Sequence, residues 1–91
     1  MKFLVIGLGS MGKRRIRLLK KCDDNYEIFG IDNNKDRREK VKSEYGIKVF
    51  DTITDAISSY RFDGVLICTS PLSHSKIMSQ LVEYDFAIFS E

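Results

Sequence analysis

Five short apolar runs, separated by longer charged or amphipathic stretches, divide this sequence of 91 residues. The runs Lys2–Ile6, Glu27–Ile31, Ile47–Phe50, Gly64–Cys68 and Phe86–Phe89 are four or five residues long and rich in Val, Ile and Phe. That length and composition suit buried strands better than helices. FLVI and VLIC are apolar without alternation, the pattern of strands covered on both faces in a parallel sheet. Between the runs the periodicity becomes helical. From Ser10 to Cys22, Gly12, Ile16 and Leu19 form one apolar stripe, with Met11, Leu18 and Cys22 expected beside it. Asn34–Tyr45 is mostly charged, with Val41 and Tyr45 one turn apart and Gly46 placed as a C-terminal cap. Thr52 to Asp55 resembles a capping box opening a short helix through Tyr60. Ser70 and Pro71 supply an N-cap and a first-turn proline for a last helix, whose stripe is His74, Ile77, Met78, Leu81 and Val82. Strict β-α alternation with right-handed crossovers leaves one α/β architecture. It is an open, doubly wound parallel sheet with helices on both faces and expected strand order 3-2-1-4-5.

Composition narrows the function classes. A net charge of +2 and a sequence pI near 8.6 argue against a nucleic-acid footprint. No apolar run approaches the roughly 18 residues of a membrane span. The N-terminal stretch lacks the pattern of a signal peptide. Cys22 and Cys68 form neither a metal spacing nor a disulfide framework, which makes a reducing cytoplasm the expected compartment.

The first strand runs straight into Gly7-Leu-Gly9-Ser-Met-Gly12, and the second ends at Asp32, twenty residues beyond Gly12. In a strand–turn–helix setting each part has a mechanical reason. Gly7 makes the tight turn, Gly9 lets a pyrophosphate approach the main chain, and Gly12 lets helix and strand pack closely. The helix N-terminus offers N–H groups and positive potential to phosphates, with Ser10 and Met11 in its first turn. The Asp32 carboxylate can accept hydrogen bonds from an adenosine ribose. Such a turn can also merely join strand to helix, but the combined context points to a Rossmann-like dinucleotide site. A carboxylate at Asp32 repels a 2′-phosphate, which favours NAD over NADP. Lys35, Arg37 and Arg38 either compensate for that charge and admit NADP or form a solvated helix face. Lys13, Arg14, Arg15 and Arg17 crowd the start of the first helix against its dipole, and no specific contact is assigned to them.

At the end of the fourth strand stands Cys68-Thr69-Ser70-Pro71-Leu-Ser-His74, and Ser90-Glu91 follows the fifth. The ends of strands one and four border the crevice of a doubly wound sheet, so Thr69, Ser70 and His74 belong near a bound ligand. His74 equally suits a packed, hydrogen-bonded core position. VIGLGSMGKRRIRLL, the GID with its arginine-bearing helix, and DGVLICTSPLSHSKIMSQLVEYDFAIFSE together resemble the N-terminal NAD(P)-binding domain of the Gfo/Idh/MocA oxidoreductases. The resemblance implies that Gly7, Gly9, Ser10, Met11, Gly12 and Asp32 contact the dinucleotide, and Arg37, near Asp32 in the sequence, is a further candidate contact. It also implies that Thr69, Pro71 and His74 line the crevice and that Glu91 opens the family's E-K-P motif, near the nicotinamide ribose.

By that resemblance the lysine and proline of the motif and a C-terminal substrate domain would lie beyond Glu91. The expected function is then the cofactor-binding portion of an enzyme. That enzyme would transfer hydride between NAD(P) and a secondary alcohol of a sugar, sugar nucleotide or cyclitol. The chain by itself would bind cofactor weakly and not turn over, and no catalytic or metal-binding residue is assigned within it. Apolar surface meant for the missing parts would be exposed, or covered by a second copy in a homo-oligomer. The alternatives are a non-catalytic nucleotide-sensing regulatory module of Rossmann type, which gives no reason for the T-S-P-x-x-H segment, and a subunit or scaffold.

Overall fold

A computed structural model describes residues 1–69, Ile77 and the backbone of residues 87–90. The described elements are β1 (Lys2–Ile6), α1 (Ser10–Cys22), β2 (Glu27–Ile31), α2 (Lys35–Tyr45), β3 (Lys48–Phe50), α3 (Ile53–Ser59), β4 (Gly64–Ile67) and β5 (Ala87–Ser90). The strands form one parallel sheet in the order β3-β2-β1-β4-β5, the order expected from the alternation. β1 lies in the middle, with Ile6 opposite Ile31 on one side and Ile67 on the other. The C-terminal ends of β1, β2 and β4 therefore finish level at one edge. Successive side chains of β1 go to opposite faces. Leu4 and Ile6 join a cluster with Phe29, Ile31, Val65 and Ile67, while Val5 joins one with Leu8, Ile16, Ile28, Val41 and Ile47. Both faces of the central strand are thus covered, which is why its sequence does not alternate.

Each described helix is anchored differently. α1 buries Gly12 and Ile16 with Leu19 half-buried, but Met11 and Leu18 are 43% and 42% exposed and Cys22 is exposed too. Its apolar stripe is narrower than the sequence suggests, because Met11, Leu18 and Cys22 stand about a quarter-turn round the helix from Gly12, Ile16 and Leu19. α2 is charged almost throughout and depends on Val41, which is fully buried. The Asn34 side chain accepts the Arg37 N–H at 3.1 Å. At the other end Gly46, at φ 65°, donates its N–H to the Lys42 carbonyl at 2.9 Å. In α3, Thr52 Oγ1 accepts the Asp55 N–H at 3.1 Å, the hydroxyl half of the capping box, and Ala56 is buried. Phe29 packs with Tyr60 and Phe62 at ring-centroid distances of 4.6 and 5.5 Å, closing the α3 face of the sheet. The helix expected after Ser70 and Pro71 lies outside the described residues apart from Ile77, which packs on the Phe29 cluster. No described helix is long and apolar enough to cross a membrane.

Candidate functional site

The turn between β1 and α1 follows from three glycines, each for a separate reason. Gly7 adopts φ 96°, and a Cβ there would stand 2.9 Å from the Cys68 carbonyl oxygen. Its N–H donates to the Ile31 carbonyl at 2.8 Å, tying the turn to β2. Gly12 faces the same turn from inside α1, where a Cβ would overlap the Gly7 carbonyl oxygen. Gly9 faces outward, and the Cζ and Nη1 atoms of Arg37 lie 4.0 Å from where its Cβ would be.

Gly9 is also the N-cap of α1, and it has no side chain with which to cap it. The first intrahelical bond runs from the Lys13 N–H to the Gly9 carbonyl at 3.0 Å, so the amides of Ser10, Met11 and Gly12 precede the helical ladder. No acidic residue occupies this first turn, whereas α2 and α3 each carry an aspartate there and a side-chain cap. Of the three described helices, α1 alone presents an uncapped, acid-free N-terminus. That is the electrostatic requirement for receiving a phosphate.

This N-terminus opens into a cavity of about 840 Å³. Gly7, Gly9, Ser10 and Met11 form one wall, Asp32, Asn33 and Arg37 a second, and Cys68, Thr69 and Ile77 a third. The volume falls within the range of small-molecule sites. Asp51, Thr52 and Ile53 also line it, from the end of β3 and the start of α3. Sequence reasoning missed these three. The signal was available, because a crevice at the carboxyl ends of the strands must include the residues just after β3. Gly12 is placed behind the wall rather than on it. Ser70, Pro71, His74 and Glu91 lie outside the described residues.

Asp32 is 8% exposed, and its carboxylate is already engaged within the chain. Oδ2 accepts the Leu8 N–H at 2.9 Å and Oδ1 accepts the Asn34 N–H at 2.8 Å. Two of about four acceptor sites are therefore used by the main chain. Arg37 Nη1 stands 3.7 Å from Oδ2, an ion pair too long for a charge-assisted hydrogen bond and 58% exposed on the arginine side. Arg38 donates to the Asp32 main-chain carbonyl at 2.7 Å and does not line the cavity, nor does Lys35. On the opposite wall, burial pushes the Cys68 thiol up, and the Arg15 charge only partly offsets this. The thiol is therefore protonated at neutral pH and a poor nucleophile. Asp32, Asp51 and Arg37 are the charged residues among the described lining residues.

The family model for the Gfo/Idh/MocA oxidoreductases, described as an oxidoreductase family with an NAD-binding Rossmann fold, matches residues 1–91. The chain belongs to this family. Among curated Gfo/Idh/MocA-like proteins, the chain is similar to myo-inositol 2-dehydrogenase of Thermotoga maritima, at 29% identity over all of this chain and 28% of that protein. A probable dehydrogenase of known structure from Thermotoga maritima superposes with a TM-score of 0.85 at 26% identity, covering 99% of this chain and 27% of the other. The WlbA dehydrogenase of Bordetella pertussis, solved with NADH and UDP-GlcNAcA, superposes with a TM-score of 0.89. It shares the fold at 18% identity, over 99% of this chain and 27% of its own. The chain thus spans little more than a quarter of the length of these relatives.

Proposed function

We propose that this chain is the NAD-binding portion of a larger oxidoreductase. That enzyme would move hydride between the cofactor and a secondary alcohol of a sugar, sugar nucleotide or cyclitol. The observation that carries the reading is the uncapped N-terminus of α1, which opens into a cavity whose far wall holds Asp32. Gly7, Gly9, Ser10 and Met11 would cradle the pyrophosphate, and Asp32 and Arg37 would face the adenosine ribose. Thr69 would border the nicotinamide half, with Pro71, His74 and Glu91 assigned to the crevice by their match to the family's motifs and Ser70 by its place after the fourth strand. A bound nicotinamide supplies the hydride chemistry, and this chain contributes binding and orientation. Family membership and the NADH-bound WlbA neighbour support this reading over a nucleotide-sensing regulatory module. Coverage of little more than a quarter of each relative supports a separate substrate-binding part. The substrate class rests on the names of those relatives, and a reducing cytoplasm suits the two free cysteines.

The charges lining the cavity favour NAD over NADP. Among the described lining residues Asp32 and Asp51 outnumber Arg37, so a 2′-phosphate meets net negative charge there. A ribose 2′-hydroxyl needs only to displace the loosely held Arg37 guanidinium from Asp32 Oδ2. Calorimetric titration with both dinucleotides tests this. NAD is expected to bind at least about tenfold more tightly than NADP, a difference of roughly 1.4 kcal/mol. Tighter binding of NADP would refute the charge argument, and binding of neither would refute the nucleotide reading.

A further inference from the structure

Main-chain amides cannot adjust to a phosphate as side chains do, so a glycine turn that receives one must be positioned by its neighbours. Here the positioning comes from β2. Besides the bonds from Gly7 to Ile31 and from Leu8 to Asp32, the fully buried Leu8 side chain lies across Gly30, the penultimate residue of β2. A Cβ on Gly30 would stand 2.9 Å from Leu8 Cδ2, 3.2 Å from Leu8 Cδ1 and 3.4 Å from Ile47 Cδ1. The backbone of Gly30 does not require glycine, because only Gly7 and Gly46 have positive φ. Glycine inside a strand costs stability and often marks a close approach. The approach here is that of Leu8, the residue between Gly7 and Gly9.

We propose that Gly30 is a positioning residue for the dinucleotide site, although it does not line the cavity. Leu8 is seated in the gap it leaves, and the Asp32 carboxylate closes on the Leu8 amide. Together they hold Gly9 and the first turn of α1 where a pyrophosphate can meet them. This rests on the dinucleotide reading above.

A double-mutant cycle on the chain tests it. Gly30→Ala pushes on Leu8 without changing any charge, and is expected to weaken NAD binding about tenfold while shifting the Leu8 and Gly9 amide resonances of the ligand-free chain. Leu8→Val, which leaves the gap part-empty, is expected to weaken NAD binding severalfold. The pair Gly30→Ala with Leu8→Val roughly conserves volume and is expected to restore affinity to within about threefold of the parent. Melting temperatures measured alongside separate a merely structural glycine, which would lower thermal stability and leave the affinity of the folded chain unchanged. NAD affinity equal to the parent's in both single variants, or no recovery in the pair, overturns the proposal. If the parent binds no NAD while Gly30→Ala still moves the turn amides, the dinucleotide reading fails and the steric lock on the turn stands.

Discussion

Gly12→Ala separates two opposing effects of known sign. Inside a helix, alanine is preferred to glycine by up to about 1 kcal/mol, so local propensity alone says this substitution stabilises the chain. The structure says the reverse. A Cβ at position 12 would overlap the Gly7 carbonyl oxygen and stand 2.9 Å from its carbon, and these are main-chain atoms with no rotamer to yield. Gly7 is itself held at φ 96° with its N–H on the Ile31 carbonyl. Overpacking against such a contact belongs near the upper end of the usual range, about 3 kcal/mol. After subtraction of the propensity gain, the net loss is about 2 kcal/mol. For a domain of this size that lowers the melting temperature by about 8–16 °C. Scanning calorimetry of the two chains reads it directly. A melting temperature equal to or above the parent's would refute the close-packing role given to Gly12.

Other substitutions and reagents probe other parts of the account. Val41→Ala removes the buried anchor of an otherwise charged helix and is expected to cost about 2 kcal/mol, read as a lower urea midpoint at unchanged slope. Asn34→Ala removes the cap on the Arg37 amide and is expected to cost about 1 kcal/mol by the same assay. Cys68, whose thiol burial pushes up, is expected to alkylate far more slowly than exposed Cys22 at neutral pH, with its rate rising as the pH is made alkaline. Mass spectrometry resolves the two sites, and NAD is expected to slow modification at Cys68 only.

The elements were legible because their signals are local. Four-residue apolar runs, the Thr52 capping pattern and a Gly46 stop need no partner to be recognised. Gly46 and Thr52 flank their helices where the sequence places them, α2 starts one residue later than expected with Asn34 as its cap, and the strand limits differ by one residue at most. Ile47 and Cys68 fall just outside their strands, although the Cys68 N–H still donates to the Ile6 carbonyl at 2.7 Å. What the sequence left unread depends on contacts across the fold. Asp32 reads as a ribose acceptor, yet it first accepts main-chain amides of Leu8 and Asn34, which any residue would offer. The fit of Leu8 into Gly30 joins a turn residue to a strand residue, and the two meet only once β1 and β2 pair. The exposure of Met11 and Leu18 follows from their place about a quarter-turn round the helix from Gly12, Ile16 and Leu19, and Met11 also lines the cavity.

The central claim, that the uncapped end of α1 and the Asp32 wall form one dinucleotide site, is tested most directly by titrating NAD into the isotopically labelled chain and following its amide resonances. The account predicts saturable shifts at Gly9, Ser10, Met11, Asn33 and Thr69, with the exposed Asp23–Asn25 turn at the opposite end of α1 unaffected. Absence of saturable shifts, or shifts that map to that opposite end, would contradict it.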